Sequence, residues 1–490
     1  MRRASLGSTG RKLVVTLCSA LLVVALASDS WAGRAVIIRG RGWGHGIGMS
    51  QYGALGRAQN GKSARQILTH YYSGVRVRKV ATPDKVRVGL LNSKRSVKIT
   101  SLARPGRDDG GRIEFRIRGA RRSLAAGGPG VSWTVEPTRR GRVRLLRDGT
   151  RIRRRGRSSF GSPSRPLVVA YVGHGTMARL TQKRLNYAYG RITVATHSSP
   201  CRARYCLRAV LSIRPQRYLL GLGEVPASWP RAALKAQVIA ARTYALERIR
   251  RLGQHRFPCD CALYDSAVDQ VYSGDARRVA AGRYWRRWRR AVGRTDRQAL
   301  LYRGGFIQAY YSSSSGGHTE NNENVWGGDP IPYLRGVSDR ADSVAANPNH
   351  RWRVKMRWRR FARKLDAAFG IGKLRRVQLV RPFGVSGRVT VAKSASRGGV
   401  RVVGSRATRR VDGWDIRSAL DLRDTWFRIR VVRTAPTRAQ SCERSAWKQA
   451  RSELSSEEAV GEEALSGAPL ACDRTSGPSS ADGSGDARGA

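Results

Sequence analysis

The stretch RYLLGLGEVPASWPRAALKAQVIAARTYALERIRRLG, Arg217–Gly253, carries the strongest helical pattern in a chain of 490 residues. Pro230 suits the first position of a helix, and Gly253 suits the position that ends one. The helix interior is rich in alanine, so we expect another element to pack unusually close to it. Short alternating runs elsewhere predict strands. We therefore expect an α+β fold, rich in β-structure, with one long Ala-rich helix in its core.

Glu224 lies at the mouth of this helix, near Leu222 and Trp229. A carboxylate at such a place is often only a partner of the helix dipole. Apolar neighbours, however, raise the pKa of a carboxyl group toward that of a general acid, which can protonate a leaving oxygen. Within the helix, Lys235 and Arg242 are seven residues apart and share one stripe. They indicate a carboxylate or another anion as partner, or two side chains that simply reach solvent.

A second unusual stretch, GWGHGIGMSQYGA at Gly42–Ala54, has no charged side chain, although the formal net charge of the chain is +61. We call residues 40–49 of it the glycine strip. Glycine occupies every second position from 40 to 48, so an extended segment would present one face of bare backbone. Bare backbone suits the close approach of a ligand or of a neighbouring strand. The opposite face would carry Trp43, His45, Ile47 and Met49.

Composition and pattern divide the chain into segments. We expect a signal peptide at 1–32, a glycine-histidine-glycine segment at 33–78, a β-rich region at 79–200, a core at 201–343, a C-terminal β-rich part of the core domain at 344–433, and an acidic low-complexity tail at 434–490. Two short helices are predicted in the second segment, one over 54–59 and one capped by Ser63.

The N-terminal segment has the parts of an export signal. Basic residues precede an apolar run, Leu13–Ala27, and the letters SWA place small residues before a cleavage site after Ala32. A membrane-anchoring helix is the alternative, but the run is short for a bilayer span. We therefore expect a secreted protein without a membrane span after cleavage.

Positive charge dominates the chain, with 94 Lys and Arg against 33 Asp and Glu. Either arginine has accumulated on exposed faces, or the charge holds the protein on a polyanion. Export excludes nucleic acid and leaves wall polymers, acidic peptides and lipid head groups. The runs RYWRRWRR at 283–290 and RWRVKMRWRR at 351–360 interleave Trp with Arg. Such runs are typical of a polyanion-binding face, and equally of a solvated face with Trp anchors that point inward.

Cysteine usage fits an exported chain. Beyond Cys18 in the signal peptide, an even number of cysteines predicts disulfides. These cysteines are Cys201, Cys206, Cys259, Cys261, Cys442 and Cys472. The first two would close a small loop, and the last two would tie the tail. The middle pair is separated by one residue, which strains a bridge, so a zinc site completed by His255 is an alternative to disulfide pairing in some order.

A polar loop at 312–323 contains SSSSGGHTE. A Ser-His-acid hydrolase is disfavoured because the G-x-S-x-G pattern is absent. The glycine strip does not match G-x-G-x-x-G or a P-loop, so dinucleotide and nucleotide binding are disfavoured as well. We expect no cofactor.

Four separated stretches together resemble the SpoIID/LytB family, which is named for stage II sporulation protein D and an amidase-enhancer protein. They are YLLGLGEVPASWPRAALKAQVIAARTYAL, DQVYSG, AYYSSSSGGHTENNENVW and GWGHGIGMSQYGALGRAQNGKSARQILTHYYSG. Members of the sporulation type are lytic transglycosylases that cut peptidoglycan glycan strands, and others are described as enhancers of wall amidases. In the sporulation proteins the glycine segment follows the core, so here it either folds back to the same site or serves elsewhere.

The resemblance implies that Glu224 is the catalytic acid. A lytic transglycosylase uses a hydroxyl of the sugar as nucleophile, so one carboxyl group suffices where a hydrolase needs two. The implied partners are glycan strands at the cell wall or, for a non-catalytic enhancer, a wall amidase. No metal is implied, and neither is a sporulation role. The implied substrate-binding residues are Lys235, Arg242, Tyr244, Ser314, Ser315, His318, His45 and Gln51. The bare face of the glycine strip would let a sugar ring lie against the backbone.

Overall fold

The computed structural model describes residues 34–198, 201, 203–391 and 398–433. The expected signal peptide, the acidic tail, Cys442 and Cys472 lie outside these residues. Strands outweigh helices in the described part, and several sheets accompany one long helix, which confirms the α+β class. None of the helices in the described ranges is both long and apolar enough to cross a membrane.

The strands are numbered in chain order. They are β1 Arg34–Arg41, β2 Met49–Ser50, β3 Arg76–Lys79, β4 Val86–Lys94, β5 Val97–Ala103, β6 Arg112–Ile117, β7 Ala125–Gly127, β8 Ser132–Pro137, β9 Val143–Arg147, β10 Thr150–Arg151, β11 Leu167–Val172, β12 Thr176–Leu180, β13 Leu185–Tyr187, β14 Arg191–His197, β15 Cys206–Ile213, β16 Leu263–Tyr264, β17 Gln298–Tyr302, β18 Gly305–Phe306, β19 Tyr311–Ser312, β20 Arg351–Arg357, β21 Leu374–Val380, β22 Gly399–Gly404, β23 Thr408–Val411 and β24 Phe427–Arg433.

The α-helices are α1 Gln51–Gln59, α2 Ala64–Tyr71, α3 Pro215–Leu220, α4 Arg231–Leu252, α5 Ala276–Ala281, α6 Trp285–Arg294, α7 Asn322–Trp326, α8 Trp358–Phe369 and α9 Gly413–Leu420. Short 3₁₀ helices span Thr181–Lys183, Gly282–Tyr284 and Arg340–Ser343.

The chain divides into two compact units. The larger unit comprises Ile38–Val354 and Ala362–Arg428 and contains all the candidate site residues. The described residues of the smaller unit are 34–37, 355–361 and 429–433, which include the ends of β1, β20 and β24.

Two large sheets form most of the β-structure of the larger unit. One has seven strands in the order β16-β4-β15-β14-β11-β6-β7, and the other has six in the order β10-β9-β8-β5-β12-β13. Neighbouring strands pair antiparallel except β16 with β4. Side chains alternate between the core and solvent, as in β8, where Trp133 and Val135 are buried. The β-rich region predicted from short alternating runs is therefore confirmed.

The long helix α4 begins one residue after Pro230 and ends before Gly253, whose φ of 74° lies in the left-handed region. Its alanines are buried where other elements approach. Ala236 and Ala240 lie in one apolar cluster with Ile47 of the glycine strip. The small side chains thus leave room for the strip, as expected from the composition.

The two short helices after the strip form because their caps are encoded locally. Ser63 caps α2 in a capping box with Gln66, as predicted. Helix α1 begins at Gln51, three residues earlier than expected, because the Ser50 hydroxyl accepts a hydrogen bond from the Gly53 N–H at 3.1 Å. That cap was missed because the expected helix began at residue 54.

The expectation of an extended strip with one bare face is wrong beyond β1. Gly42, Gly44, Gly46 and Gly48 all have positive φ, between 67° and 128°, so the backbone coils instead of alternating. The positions that lack a Cβ are occupied by protein. A Cβ on Gly46 would lie 2.3 Å from Arg388 Cζ, and one on Gly48 would lie 2.3 Å from the Tyr310 carbonyl oxygen. These glycines therefore do not offer their backbone to a sugar ring.

Two disulfides occur among the described cysteines. Cys201 pairs with Cys206, as predicted, and Cys259 pairs with Cys261. Both sulfur atoms of the second pair are bonded to each other, so they do not supply thiolate ligands to a zinc ion. His255 instead contacts the carboxylate of Asp260.

Overpacking at the contact between α4 and the strip tests this arrangement. Ala240→Leu is expected to lower the free energy of unfolding by about 1–3 kcal/mol, because the added atoms meet a filled core. Urea denaturation measures the change. Arg250→Leu, at an exposed position of the same helix, is the control and is expected to stay within about 0.5 kcal/mol of the parent. Equal stability of Ala240→Leu and the parent would contradict the packing.

Candidate functional site

Glu224 is held by the segment that precedes α5. The Gly223 N–H donates to the Val271 carbonyl at 2.9 Å, and the Val271 N–H donates to Glu224 Oε1 at 2.7 Å. Leu222 and Tyr272 form an antiparallel bridge beside these bonds. The carboxyl group thus has a fixed position on a short two-stranded contact and does not swing on a free loop.

The surroundings of Glu224 favour the protonated acid. Burial raises the pKa of this carboxyl above its usual value, and hydrogen bonds from Val271, Tyr311 and Gln51, with the positive charge of Arg277, only partly offset the rise. The residue keeps partial exposure. A carboxyl group that is crowded by protein yet reachable from solvent, with a raised pKa, has the properties of a general acid.

Gln51 reaches this carboxyl group from the far end of the sequence. Strand β2 pairs in parallel with β19, and Trp43 forms a β-bridge with Ser314. The glycine strip therefore lies along the polar loop at 312–323, which we call the serine loop. The Gln51 side chain is buried, hydrogen-bonds Glu224, and lies 3.5 Å from Gln237 Oε1 of α4. Of the two alternatives, the structure shows the strip folded back to the core.

A chain of hydrogen bonds leads from Tyr218 to the Glu224 carboxyl. Tyr218 donates to Gln270 Oε1 at 2.8 Å, and Gln270 Nε2 contacts the Tyr311 hydroxyl at 2.8 Å. The Tyr311 hydroxyl in turn bonds to Glu224. Burial and the Glu224 charge raise the pKa of both tyrosines well above the usual value, so both stay neutral. Gln270, Tyr311 and Tyr218 were not expected as site residues, although all three lie within the stretches that carry the family resemblance.

The serines expected to bind substrate do not face solvent. Ser314 and Ser315 are buried, and their hydroxyls donate to Asp342 Oδ2 at 2.7 Å and Asp339 Oδ2 at 2.8 Å. Ser50 donates to Asp342 Oδ1 at 2.7 Å. Asp342 thus links Ser314 of the loop to Ser50, which follows the strip. Because the hydroxyls of Ser314 and Ser315 are used inside the fold, the expected contact of these two serines with a glycan is corrected.

The two aspartates of this network have opposite shifts. Burial and the neighbouring Asp342 raise the pKa of Asp339 to about 6. Burial also acts to raise the pKa of Asp342, but hydrogen bonds from His350, Ser50 and Ser314 outweigh it and hold the value below the usual range. Asp342 is therefore the ionised acceptor around which the loop is arranged.

Two predicted cleft residues have protein partners instead. Arg242 is 2% exposed, and its guanidinium donates to the Gln298 carbonyl and to Gln216 Oε1, both at 2.9 Å. The buried Tyr244 hydroxyl donates to Asp269 Oδ1 at 2.9 Å. The expectation that these side chains hold sugar or peptide groups is corrected, because their polar atoms are already satisfied inside the fold.

The remaining predicted residues are at least partly accessible. Lys235 is half-buried and forms no hydrogen bond or ion pair with any described residue. His318 is half-buried, with its Nδ1 2.7 Å from the Thr319 carbonyl oxygen. His45 is half-buried, and its Nδ1 accepts from the Ile47 N–H at 3.0 Å. Burial lowers the pKa of His45 to about 3, so its ring is neutral.

Exposed aromatic rings border this region. Trp326 is 42% exposed and lies 5.1 Å from the ring of His45 and 4.8 Å from that of Tyr310. Trp43 is 48% exposed. Flat apolar faces beside polar groups are suited to contact with sugar rings.

The serine network makes a prediction that separates a structural role from a binding role. Ser314→Ala is expected to lower the free energy of unfolding by about 1–3 kcal/mol, because buried Asp342 loses a hydrogen bond. Chemical denaturation measures it, and Ser338→Ala, at an exposed position, is the matched control. Unchanged stability, with only glycan binding weakened, would restore the binding role.

Part of the site, including Glu224 and Gln270, lies in a segment that matches a known family. Residues 207–302 match the family model SpoIID, described as stage II sporulation protein. A Brachyspira hyodysenteriae protein of uncharacterised function is 38% identical over 116 residues, 23% of this chain and 28% of that protein. The amidase enhancer of Bacillus subtilis is 37% identical over 120 residues, 24% of this chain and 14% of its own length. Stage II sporulation protein D of Bacillus subtilis is 29% identical over 178 residues, 34% of this chain and 51% of its own length. The matches thus span about half or less of these relatives.

Proposed function

We propose, from the match of residues 207–302 to the SpoIID family model, that the chain is a secreted, wall-located protein. In this proposal it cleaves peptidoglycan glycan strands as a lytic transglycosylase, with Glu224 as general acid and base. The observation that carries the proposal is the environment of Glu224. Its carboxyl group has a pKa raised by burial, a position fixed by the Val271 N–H, and partial access to solvent.

The reaction needs one carboxyl group acting twice. Protonated Glu224 gives its proton to the glycosidic oxygen as the bond to the anomeric carbon breaks. The resulting carboxylate then takes the proton of a hydroxyl on the same sugar, whose oxygen bonds to the anomeric carbon and closes an anhydro ring. Glu224 is protonated again at the end, so protons and atoms balance without water.

The groups around Glu224 fit this single-acid scheme. A glycosidase that uses water or a covalent intermediate needs a second carboxylate within about 5–9.5 Å. The groups that hydrogen-bond to the Glu224 carboxyl are the Val271 N–H, Tyr311 and Gln51, and none of them is a carboxylate. Asp269, two residues before Val271, is held by ion pairs with Arg248 and Arg256.

Glycan binding falls to the accessible residues. Lys235 and His318 stay predictions as polar contacts, and His45 stays a prediction at the rim. Gln51, which was expected there too, is buried and hydrogen-bonds Glu224 instead. Trp326 and Trp43 add exposed aromatic faces. The proposed substrate therefore lies along the side of the domain where the strip and the serine loop meet.

Glu224→Gln is expected to reduce the release of anhydro-muropeptides from purified peptidoglycan by about 10²–10⁴-fold, because the amide cannot donate the proton. Mass analysis of the digestion products measures this, and a pull-down with insoluble peptidoglycan is expected to show retained binding. Glu114→Gln, at a carboxylate paired with Arg116, is the control with full activity. Unchanged products from Glu224→Gln would exclude this residue as the acid.

The pH profile has a predicted direction. The pKa of Glu224 is raised above 4.5 in the folded protein, so the active protonated form persists above that pH. Activity is expected to be high below this raised pKa and to fall as pH rises through it. The rate of glycan cleavage, measured across pH, gives this alkaline limb of the pH profile. Circular dichroism at each pH checks that the protein stays folded. A decline centred at or below pH 4.5 would contradict the raised pKa.

A non-catalytic enhancer of a wall amidase is the second candidate, favoured by the similarity to the Bacillus subtilis amidase enhancer. The same polar side of the domain would then bind glycan without cutting it. Mixing the protein with a purified wall amidase separates the two functions. If the protein is an enhancer, it stimulates the amidase to the same extent with and without the Glu224→Gln substitution. It then releases no anhydro products of its own.

A further inference from the structure

Arg277 on α5 is a buried cation that the proposed mechanism leaves without a role. The residue is 6% exposed, and its Nε and Nη2 atoms have no hydrogen-bond partner among the described residues. Burial lowers the pKa of Arg277 to about 10, and the charge of Glu224 acts against that fall. The side chain is therefore still positive at neutral pH, although it is buried. At these two atoms no hydrogen bond stabilises the charge.

The acid nearest in sequence does not supply the missing counter-charge. Asp275 accepts bonds from Arg278 Nε at 3.0 Å and Arg278 Nη2 at 2.8 Å, and Arg104 Nη2 lies 3.4 Å from it. Its carboxylate is occupied by two other arginines. The charge of Glu224 favours the Arg277 cation, without a direct hydrogen bond at Nε or Nη2.

The position of Arg277 is fixed relative to the turn that carries Glu224. Its guanidinium carbon lies 4.5 Å from the ring centre of Trp288, a stacking cation–π distance. The Trp288 indole N–H contacts the carbonyls of Leu219 and Leu220 at 3.2 and 3.3 Å. Those carbonyls lie in the chain segment that leads into Glu224. Trp288 thus links the Arg277 guanidinium to the segment that leads into Glu224.

We propose that Arg277 is a positioning residue that stabilises the carboxylate formed when Glu224 gives up its proton. The inference rests on the proposed function, since it concerns the same acid. Its two unpartnered atoms are buried, so the substrate does not contact them and the effect passes through Glu224. In a buried setting a charge acts on its neighbour more strongly than in water. The cation therefore offsets part of the cost of a buried carboxylate in the middle of the reaction.

Other titratable groups around Glu224 do not duplicate this effect. Tyr218 and Tyr311 are neutral at working pH because burial raises the pKa of each. The Val271 N–H and the Gln51 amide carry no net charge. Arg277 thus differs from these neighbours because it brings a positive charge that favours the Glu224 carboxylate.

Arg277→Met in the full chain removes the charge and keeps much of the apolar contact with Trp288. We expect the alkaline limb of the pH profile to move up by about one pH unit, because the carboxylate loses its stabilising charge. The maximal kcat is expected to fall about tenfold, since a weaker acid transfers its proton less readily, while KM changes less than about twofold. Arg277→Lys, which keeps the charge, is expected to restore the position of the limb.

The titration of Glu224 can be followed without activity. Carbon-13 labelling of glutamate gives a carboxyl resonance for Glu224, assigned by its loss in Glu224→Gln. Its midpoint is expected to rise in Arg277→Met and to stay at the parent value in Arg278→Met, the matched control. Arg277→Gln is a second neutral variant and must give the same rise if Arg277→Met does not fold.

The outcomes separate the two proposals. An unchanged Glu224 midpoint in the folded neutral variant overturns the role of Arg277, whatever the activity. Anhydro products that persist in Glu224→Gln overturn the proposed function, whatever the titration. A raised midpoint with a limb restored by Arg277→Lys supports the positioning role, because loss of a merely structural contact would lower stability and leave the midpoint in place.

Discussion

The carboxylate of Asp342 joins the two segments on which the site depends. It accepts hydrogen bonds from the hydroxyl of Ser50, which follows the glycine strip, and from the hydroxyl of Ser314 in the serine loop, both at 2.7 Å, and it contacts His350 Nδ1 at 2.9 Å. A buried, ionised acceptor is costly unless its oxygens are fully hydrogen-bonded. Because the Asp342 oxygens need these hydrogen bonds, residues nearly three hundred positions apart come together in one network. The same network sets Gln51 beside Glu224.

The neutrality of the glycine strip follows from what surrounds it. Arg388 is fully buried next to the strip and forms an ion pair with Asp424 at 2.8 Å. A Cβ on Gly42 would lie 2.7 Å from Asp424 Oδ2, and one on Gly46 would meet the Arg388 guanidinium. Glycine is needed because only a bare backbone with positive φ passes this pair closely. A further charge there would be buried without a partner, which explains its absence in so basic a chain.

Exposed arginines and the charged groups of the site occupy different parts of the larger unit. On α6, Trp288 is buried while Arg286, Arg289 and Arg290 are exposed. The run at 283–290 thus has exposed arginines and a Trp anchor that points inward. At the acid itself, the charges that matter are buried. The exposed arginines of this helix are therefore separate from the buried groups that set the protonation of Glu224.

Local signals in the sequence were enough to identify the long helix with its Pro230 start and Gly253 end, the Ser63 cap, the β-rich region and Glu224 as a candidate acid. Each of these depends on residues within a few positions of one another, where backbone preferences and caps act directly. The tertiary structure alone decided that Ser314 and Arg242 turn inward, that Gln51 and Tyr311 reach the acid, and that the glycines pack on Arg388. Those outcomes depend on which polar groups meet when distant segments fold together, and no local spacing encodes that meeting.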